Sequence, residues 1–216
     1  MKLSRLGRPL CYLVVFAVIY GFLLSYFTPD HLFSRTVTTG GDTASHYAAA
    51  HYLIHTLLPQ WQIIGWMPGN YAGFPLFQFY FPFPFLLMAL LNCLIPLQIA
   101  FKLVSVLGIF LLPICAFFCL RLIGFQFPAN IVGAIFSLPF LFMEANSMWG
   151  GNIPSTLAGE FTYGIGFALL YLYLGSFYRG IVENKYAVRN SVLLAVIGLC
   201  HGYTLLFGVF VTTFFL

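Results

Sequence analysis

The strongest constraint on this chain is a succession of long apolar runs with almost no charge between them. They are Leu10–Phe27, Leu76–Ile95, Leu97–Leu120, Ala129–Met143, Phe161–Tyr178 and Ser191–Leu216. A helix of about 20 apolar residues spans a hydrocarbon core of about 30 Å. The 216 residues include nine Lys or Arg and five Asp or Glu, so only 6% are charged while 61% are hydrophobic. A soluble domain carries about a quarter charged residues, so this chain cannot cover a water-facing surface. Disorder is excluded by the hydrophobicity. Nucleic-acid binding is excluded because the net charge of +4 is scattered, with no basic run. The runs are continuous rather than alternating, which favours helices over a membrane β-barrel. The expected fold class is an all-α, polytopic helical membrane protein with the lipid bilayer as its partner.

The five cysteines (Cys11, Cys93, Cys115, Cys119, Cys200) all lie in apolar runs, and an odd count there is no disulfide framework. Cys115 and Cys119, spaced i, i+4, read as packing residues ahead of metal ligands. The basic start MKLSRLGRPL leads into a long apolar run without a small-residue cleavage site. That pattern fits a retained signal anchor with a cytoplasmic N-terminus, in the plasma membrane of a prokaryote.

Charge sets the expected topology. If all six runs cross, four basic residues lie inside (Lys2, Arg5, Arg8, Lys102) and five outside, against the positive-inside tendency. If Leu76–Ile95 does not cross, seven lie inside (Lys2, Arg5, Arg8, Arg121, Arg179, Lys185, Arg189) and only Arg35 and Lys102 outside. Pro75, Pro82, Pro84 and Pro96 in and around that run also oppose an unbroken helix. The expectation is therefore about five crossing helices plus a re-entrant or interfacial segment at the outer face. The first external region is 28–96 and the second external loop is 144–160. Spans are expected at 97–120, 129–143 and 161–178, a cytoplasmic loop at 179–190, and a last span from 191. The whole chain, 1–216, reads as one transmembrane module. Because it ends as VTTFFL within an apolar run, it is expected to be the N-terminal part of a longer protein.

Four of the five acids fall in the two external loops: Asp30 and Asp42 in the first, Glu144 and Glu160 in the second. Asp42 follows Gly40-Gly41 and precedes a predicted helix, Ala44–Leu58. It reads as an N-cap, as a carboxylate facing a cleft, or as both. On that helix Ala44, Ala48, His51 and His55 lie within roughly 60° of one another, and His46 points the opposite way. The His51/His55 pair suits a metal or an aqueous groove, or equally a packed helix with hydrogen-bonded imidazoles. The stretch from Trp61 through Trp66 to Pro75 is irregular and aromatic, followed by Phe77-Gln78-Phe79-Tyr80-Phe81-Pro82. It reads as an interfacial belt or as the wall of a lipid-linked substrate site. Glu160, just before a span, complements a helix dipole or pairs with Asp42 in a task. His201 reads as a buried hydrogen-bonding residue in mid-span. It lies beside a close-packing face of Gly198 and Gly202.

Taken together, these features resemble the N-terminal half of the GT-C superfamily of polytopic glycosyltransferases. The residues that carry the likeness are the Gly40-Gly41-Asp42 turn and its helix, Gly73-x-Pro75, Tyr80-x-Pro82, Arg121-Leu-Ile-Gly124 and Gly159-Glu160-Phe161. More narrowly, the chain resembles the membrane proteins called "6-pyruvoyl-tetrahydropterin synthase-related", a label that implies no pterin chemistry. The resemblance implies transfer of a sugar from a polyprenyl-phosphate-linked donor at the outer face. It makes Asp42 the catalytic base or a metal ligand and Glu160 a second catalytic or metal-binding acid, with a divalent cation (Mg or Mn) as the implied cofactor. His46, Trp66, Tyr80 and Asn152 are the expected substrate-binding residues. The second loop lacks the D-x-D pair of the superfamily, and the later spans and C-terminal domain that help bind donor and acceptor there are not in this sequence. A noncatalytic membrane subunit or lipid-binding scaffold is the alternative. A transporter is disfavoured, since the acids gather at one surface rather than at mid-membrane.

Overall fold

A computed structural model of the chain describes residues 7–69, 71–145 and 147–215. Lys2 and Arg5 of the basic start, Asn70, Asn146 and Leu216 lie outside the described residues. In chain order the elements are α1 (Gly7–Tyr26), α2 (Pro29–Phe33), α3 (Thr43–Tyr52), β1 (Gly65–Met67) and β2 (Phe74–Leu76). Then come α4 (Phe83–Asn92), α5 (Leu97–Ile123), α6 (Ala129–Leu141), α7 (Ile153–Ser155), α8 (Phe161–Glu183), α9 (Ala187–Cys200) and α10 (Gly202–Phe215). Wide π-type turns extend α3 over Leu53–Leu57 and join α7 to α8 over Thr156–Glu160.

The architecture is mostly helical, as the composition requires. It is not purely so, because β1 and β2 form a two-stranded antiparallel hairpin with Trp66 opposite Pro75. Among the described residues three helices are long and apolar enough to cross a membrane: α1, α5 and the helix ending at Glu183. The prolines of the 76–95 run act as expected. Only ten residues, Phe83–Asn92, become helix there, a length of about 15 Å. The segments expected to cross at 129–143 and from 191 give helices of 13 and 14 residues, about 20 Å each.

Helices α5 and α8 form the centre and run parallel. Glycines set their separation: a Cβ on Gly108 would meet the Gly164 carbonyl carbon at 2.4 Å, and one on Gly175 would meet the Cys119 Cα at 2.7 Å. Only hydrogen at those positions lets the backbones approach so closely. Helix α1 runs antiparallel to α5. Tyr12 packs edge-on against Phe117 at 5.1 Å, and the Tyr20 hydroxyl donates to the Phe110 carbonyl at 2.9 Å. Helix α6 carries the chain back between α5 and α8. One end of the bundle therefore gathers Asp30, Asp42, Glu144 and Glu160. The other end gathers Arg8, Arg121 and Arg179 around one cavity.

The C-terminal part overturns one expectation. A single span from Ser191 with His201 at its middle is not formed. His201 is extended (φ −165°, ψ 134°) and ends α9. Its Nδ1 accepts the Tyr203 N–H at 3.3 Å, which caps the start of α10. The two helices fold back as a hairpin: Gly198 abuts Leu205, and Gly208 abuts Leu194 and Leu170. Gly198 and Gly202 therefore share no packing face. Gly202 instead meets the ring of Phe81, which also lies 4.5 Å from the His201 ring. The segment 77–82 thus covers the apex of the hairpin.

Candidate functional site

The site is built where the two acidic loops meet. Gly40 and Gly41 both take positive φ, 136° and 46°, and turn the chain into α3. The Asp42 N–H then donates to the Ala158 carbonyl at 2.8 Å, and the Thr43 hydroxyl donates to the Leu157 carbonyl at 3.2 Å. On the opposing loop Gly159 (φ 121°) leaves the room: a Cβ there would stand 3.1 Å from the Asp42 Cβ. These contacts bring the Asp42 and Glu160 loops to one corner, where burial raises the Glu160 pKa and the charge of Asp42 raises it further.

Both acids occupy helix N-cap positions, Asp42 on α3 and Glu160 on α8. Neither side chain makes a capping hydrogen bond. Capping by the carboxylate, the simpler reading of Asp42, is not realised, while Glu160 does stand at the N-terminus of α8, where its charge complements the helix dipole. The Asp42 main-chain carbonyl makes the ordinary first bond of the helix, accepting the His46 N–H at 3.0 Å, and also accepts the Ser45 hydroxyl at 2.8 Å. Asp42 is exposed and Glu160 half-buried.

Two aromatic groups form the wall beside the acids. His46 stacks on Tyr80 with ring centroids 5.3 Å apart, and the Tyr80 hydroxyl and His46 Nε2 are 3.4 Å apart. Phe161 and Phe85 close the far side of the imidazole. Burial pushes the His46 pKa down, against an upward pull from Asp42. Burial also pushes the Tyr80 hydroxyl up to about 12, reinforced by the charges of Glu160 and Asp42. Tyr80 is therefore a neutral hydroxyl facing both acids. Thr162, with its hydroxyl buried, lies near that of Tyr80 without meeting it in hydrogen-bond geometry.

Two clefts flank this wall. An apolar cleft of about 390 Å³ is lined by His46, Tyr80, Phe74, Leu76 and Phe77 among others. A cavity of about 410 Å³ on the other side of the α3 start is rich in hydroxyls, with Thr38, Thr39, Thr43, Ser105 and Thr156. The Thr156 hydroxyl is buried with no hydrogen-bond partner among the described residues. Lys102 also lines this cavity, and it was not singled out as a site residue by the sequence. It is 5% exposed. Its ammonium donates to the His31 carbonyl (2.6 Å), the Ser34 carbonyl (2.6 Å) and the Ser34 hydroxyl (2.7 Å). All three of its donors are used, so it fastens the 31–34 turn to α5. Only its position in an apolar run could have marked it, since a buried cation needs partners.

The other expected site residues lie elsewhere. Trp66 is in β1, 60% exposed, with its indole across Gly73 and its carbonyl accepting the Tyr52 hydroxyl at 2.8 Å. Asn152 is 1% exposed. Its amide donates to the Met143 carbonyl at 2.7 Å and its Oδ1 accepts the Ser155 N–H at 3.1 Å, so it braces the second loop, and it also lines a small cavity of about 170 Å³ with Trp149 and Tyr163. His51 and His55 do approach each other, with rings 4.2 Å apart. They sit on the exposed stripe of the helix, opposite buried Ala49, Ala50, Leu53 and Leu57. Among the described residues no three His, Cys, Asp or Glu side chains converge as a metal cage.

A helical membrane protein with a paired-acid junction at one end of its bundle is what fold and site define. The family follows from the sequence comparison: residues 77–216 match the 6-pyruvoyl-tetrahydropterin synthase related domain, described as a membrane protein. The chain belongs to that family. The matched part includes Glu160 and Tyr80, while Asp42 and His46 precede it. No curated protein and no solved structure matches the chain.

Proposed function

We propose that the chain is a GT-C-like membrane glycosyltransferase whose centre is the Asp42–Glu160 junction. The observation that carries this reading is the pairing itself. Two loops more than a hundred residues apart are hydrogen-bonded through main chain next to Asp42 and Glu160, and neither acid makes a side-chain capping bond.

In the reaction, an acceptor hydroxyl attacks the anomeric carbon of a polyprenyl-phosphate-linked sugar. The bond from that carbon to the phosphate oxygen breaks, and the phosphate leaves with the electron pair. The acceptor proton passes to Asp42, the exposed carboxylate, as general base. Two carboxylates with open positions suit Mg²⁺ or Mn²⁺, which take one or two protein carboxylates and complete their shell with phosphate and water. Such a cation, held by Asp42 and Glu160, would neutralise the leaving phosphate. Tyr80, a neutral hydroxyl, and His46, a neutral imidazole, position the phosphosugar. The hydroxyl-rich cavity with its unpartnered Thr156 suits a sugar, and the apolar cleft suits the first prenyl units.

The same reading places the acid end at the outer face and the arginine end in the cytoplasm, by the positive-inside tendency. Helices α1, α5, α6 and α8 cross, α4 rests in the outer interface, and α9–α10 enter from the cytoplasmic face and return to it. The last pair replaces the fifth crossing expected from sequence.

The test is transfer from a defined polyprenyl-phosphate sugar to a labelled acceptor by the full chain in liposomes, with and without Mg²⁺ or Mn²⁺. Asp42→Asn should lower transfer by about 10² or more, the range of a general base, and Glu160→Gln should raise the metal concentration required. Full transfer by both variants would refute the site. Binding of the lipid-linked sugar without transfer, unaffected by either change, would point to the scaffold alternative.

A further inference from the structure

We propose a second site at the opposite end of the bundle: a pocket for the phosphate headgroup of an anionic membrane lipid that joins the inner end of α1 to α5, α6 and α8. A cavity of about 430 Å³ there is lined by Arg8 and Tyr12 of α1, by Arg121 at the end of α5, by Gln126 and Asn130 before and in α6, and by Arg179 of α8. Three guanidiniums from three different helices therefore open onto one space.

The charge is not compensated. Among the described residues the sole ion pair is Arg179 with Glu183, one turn on along the same helix. One carboxylate against three guanidiniums leaves Arg8 and Arg121 unpaired, and Arg121 rests its flat group 6.0 Å above the Phe117 ring. Planar, forked donors of this kind match phosphate oxygens. Tyr12 and Asn130 stay bonded to each other, with the Asn130 amide donating to the Tyr12 hydroxyl at 3.2 Å, and form a neutral polar floor.

The surroundings select a lipid over a free anion. Helix α1 has only two buried residues, Ile19 and Leu23, both in its far half. Its near half presents Leu10, Leu13, Val14 and Val18 at 50–67% exposure. A headgroup in the arginine pocket would lay its acyl chains along this stripe, which otherwise has few protein partners. Basic pockets where helices leave the apolar layer are established sites for anionic headgroups. The lipid would serve as a strut, holding α1 where direct packing is thin.

The experiment uses the purified full chain in nanodiscs of phosphatidylcholine alone or with one fifth phosphatidylglycerol, read by thermal unfolding and by lipid adducts in native mass spectrometry. Phosphatidylglycerol should raise the unfolding temperature and yield a one-to-one adduct. Arg121→Gln, and independently Arg8→Gln, should weaken that adduct about tenfold and remove the stabilisation, while leaving unfolding in pure phosphatidylcholine unchanged. Lys185→Gln deletes the same charge at the same end outside the pocket and should change neither readout. The proposal fails if Lys185→Gln acts like the arginine variants, since the effect would then be bulk charge. It fails equally if inorganic phosphate or glycerol 3-phosphate in phosphatidylcholine reproduces the full stabilisation, because the ligand would then be a free anion.

Discussion

Asp42 and Gly159 lie face to face: a Cβ at 159 would stand 3.1 Å from the Asp42 Cβ. The glycine thereby lets two loops from distant parts of the chain share one corner. Its neighbour in this contact, Gly41, is tighter still, because a Cβ there would reach 2.1 Å from the Ala158 carbonyl oxygen.

Substituting that neighbour is therefore the most direct way to part the acids without touching them. Gly41→Ala forces backbone against backbone at φ 46° and should cost about 1–3 kcal/mol, as overpacking does. Transfer should fall at least tenfold with both carboxylates still present. Gly124→Ala is the contrasting variant. It shares a positive φ (117°) but has open space at its Cβ, so it should show only the backbone penalty of about 1 kcal/mol. Equal effects from the two would mean that the contact with Ala158 is unimportant.

The central helix pair makes a second prediction. Gly108→Ala sets a methyl 2.4 Å from the Gly164 carbonyl carbon, where no flexible side chain can give way. Stability in a detergent unfolding titration should drop by about 2 kcal/mol or more. Gly21→Ala, with nothing near its Cβ, should be neutral or slightly stabilising through helix propensity.

His46 gives a pH dependence with a definite sign. Burial holds its folded pKa below the ordinary 6.5. As the pH falls through about 6.5 the unfolded chain therefore binds the proton first. With more protons on the unfolded state, stability rises with pH, so this contribution is complete above about pH 6.5 and is lost on acidification. Unfolding temperatures measured from pH 8 to 5.5 should fall more steeply for the wild type than for His46→Gln. Parallel curves would show that His46 does not carry the effect.

Tyr80 should separate binding from folding. Tyr80→Phe removes one hydroxyl and keeps the ring stacked on His46. Stability should change by less than about 1 kcal/mol, while the KM for the phosphosugar rises several-fold. An unchanged KM would remove Tyr80 from the site.

Labelling can locate the C-terminal hairpin. Tyr173 bonds Thr212 at 2.8 Å and Tyr178 packs on Phe215 at 6.3 Å, so α10 descends beside α8 toward the end that holds Lys185. In a cysteine-free background, cysteines at 185 and 213 should react with an impermeant maleimide from the same side, and one at 42 from the other side. Reaction of 42 and 213 from one side would contradict the hairpin.

Much of the fold was legible because hydropathy and charge are direct physical demands. The long helices α1, α5 and α8 begin and end near the limits of their apolar runs, and the prolines around 75–96 kept that run to one short helix. The hairpin at His201 was not legible. The run 191–216 is continuously apolar, and the break depends on an imidazole capping Tyr203, a role that sequence rules reserve for Ser, Thr, Asp and Asn. The short strands β1 and β2 were hidden for a similar reason: three-residue pairs leave no alternation to read. Asp42 and Glu160 stood out because acids are scarce here. The bracing role of Asn152 within its own loop was not legible, because its amide partner is a main-chain carbonyl, that of Met143.

The bond from the Asp42 N–H to the Ala158 carbonyl has an evolutionary side. It is made by main chain alone, so apart from a proline at 42, which has no N–H, the bond does not depend on which side chain stands at either position. The corner is guarded by Gly41 and Gly159, while the identities of residues 42 and 160 are geometrically free. A descendant could exchange either acid for another polar group and inherit the same meeting of loops. Two hydrogens in place of side chains keep the frame, and the chemistry it presents is left open to change.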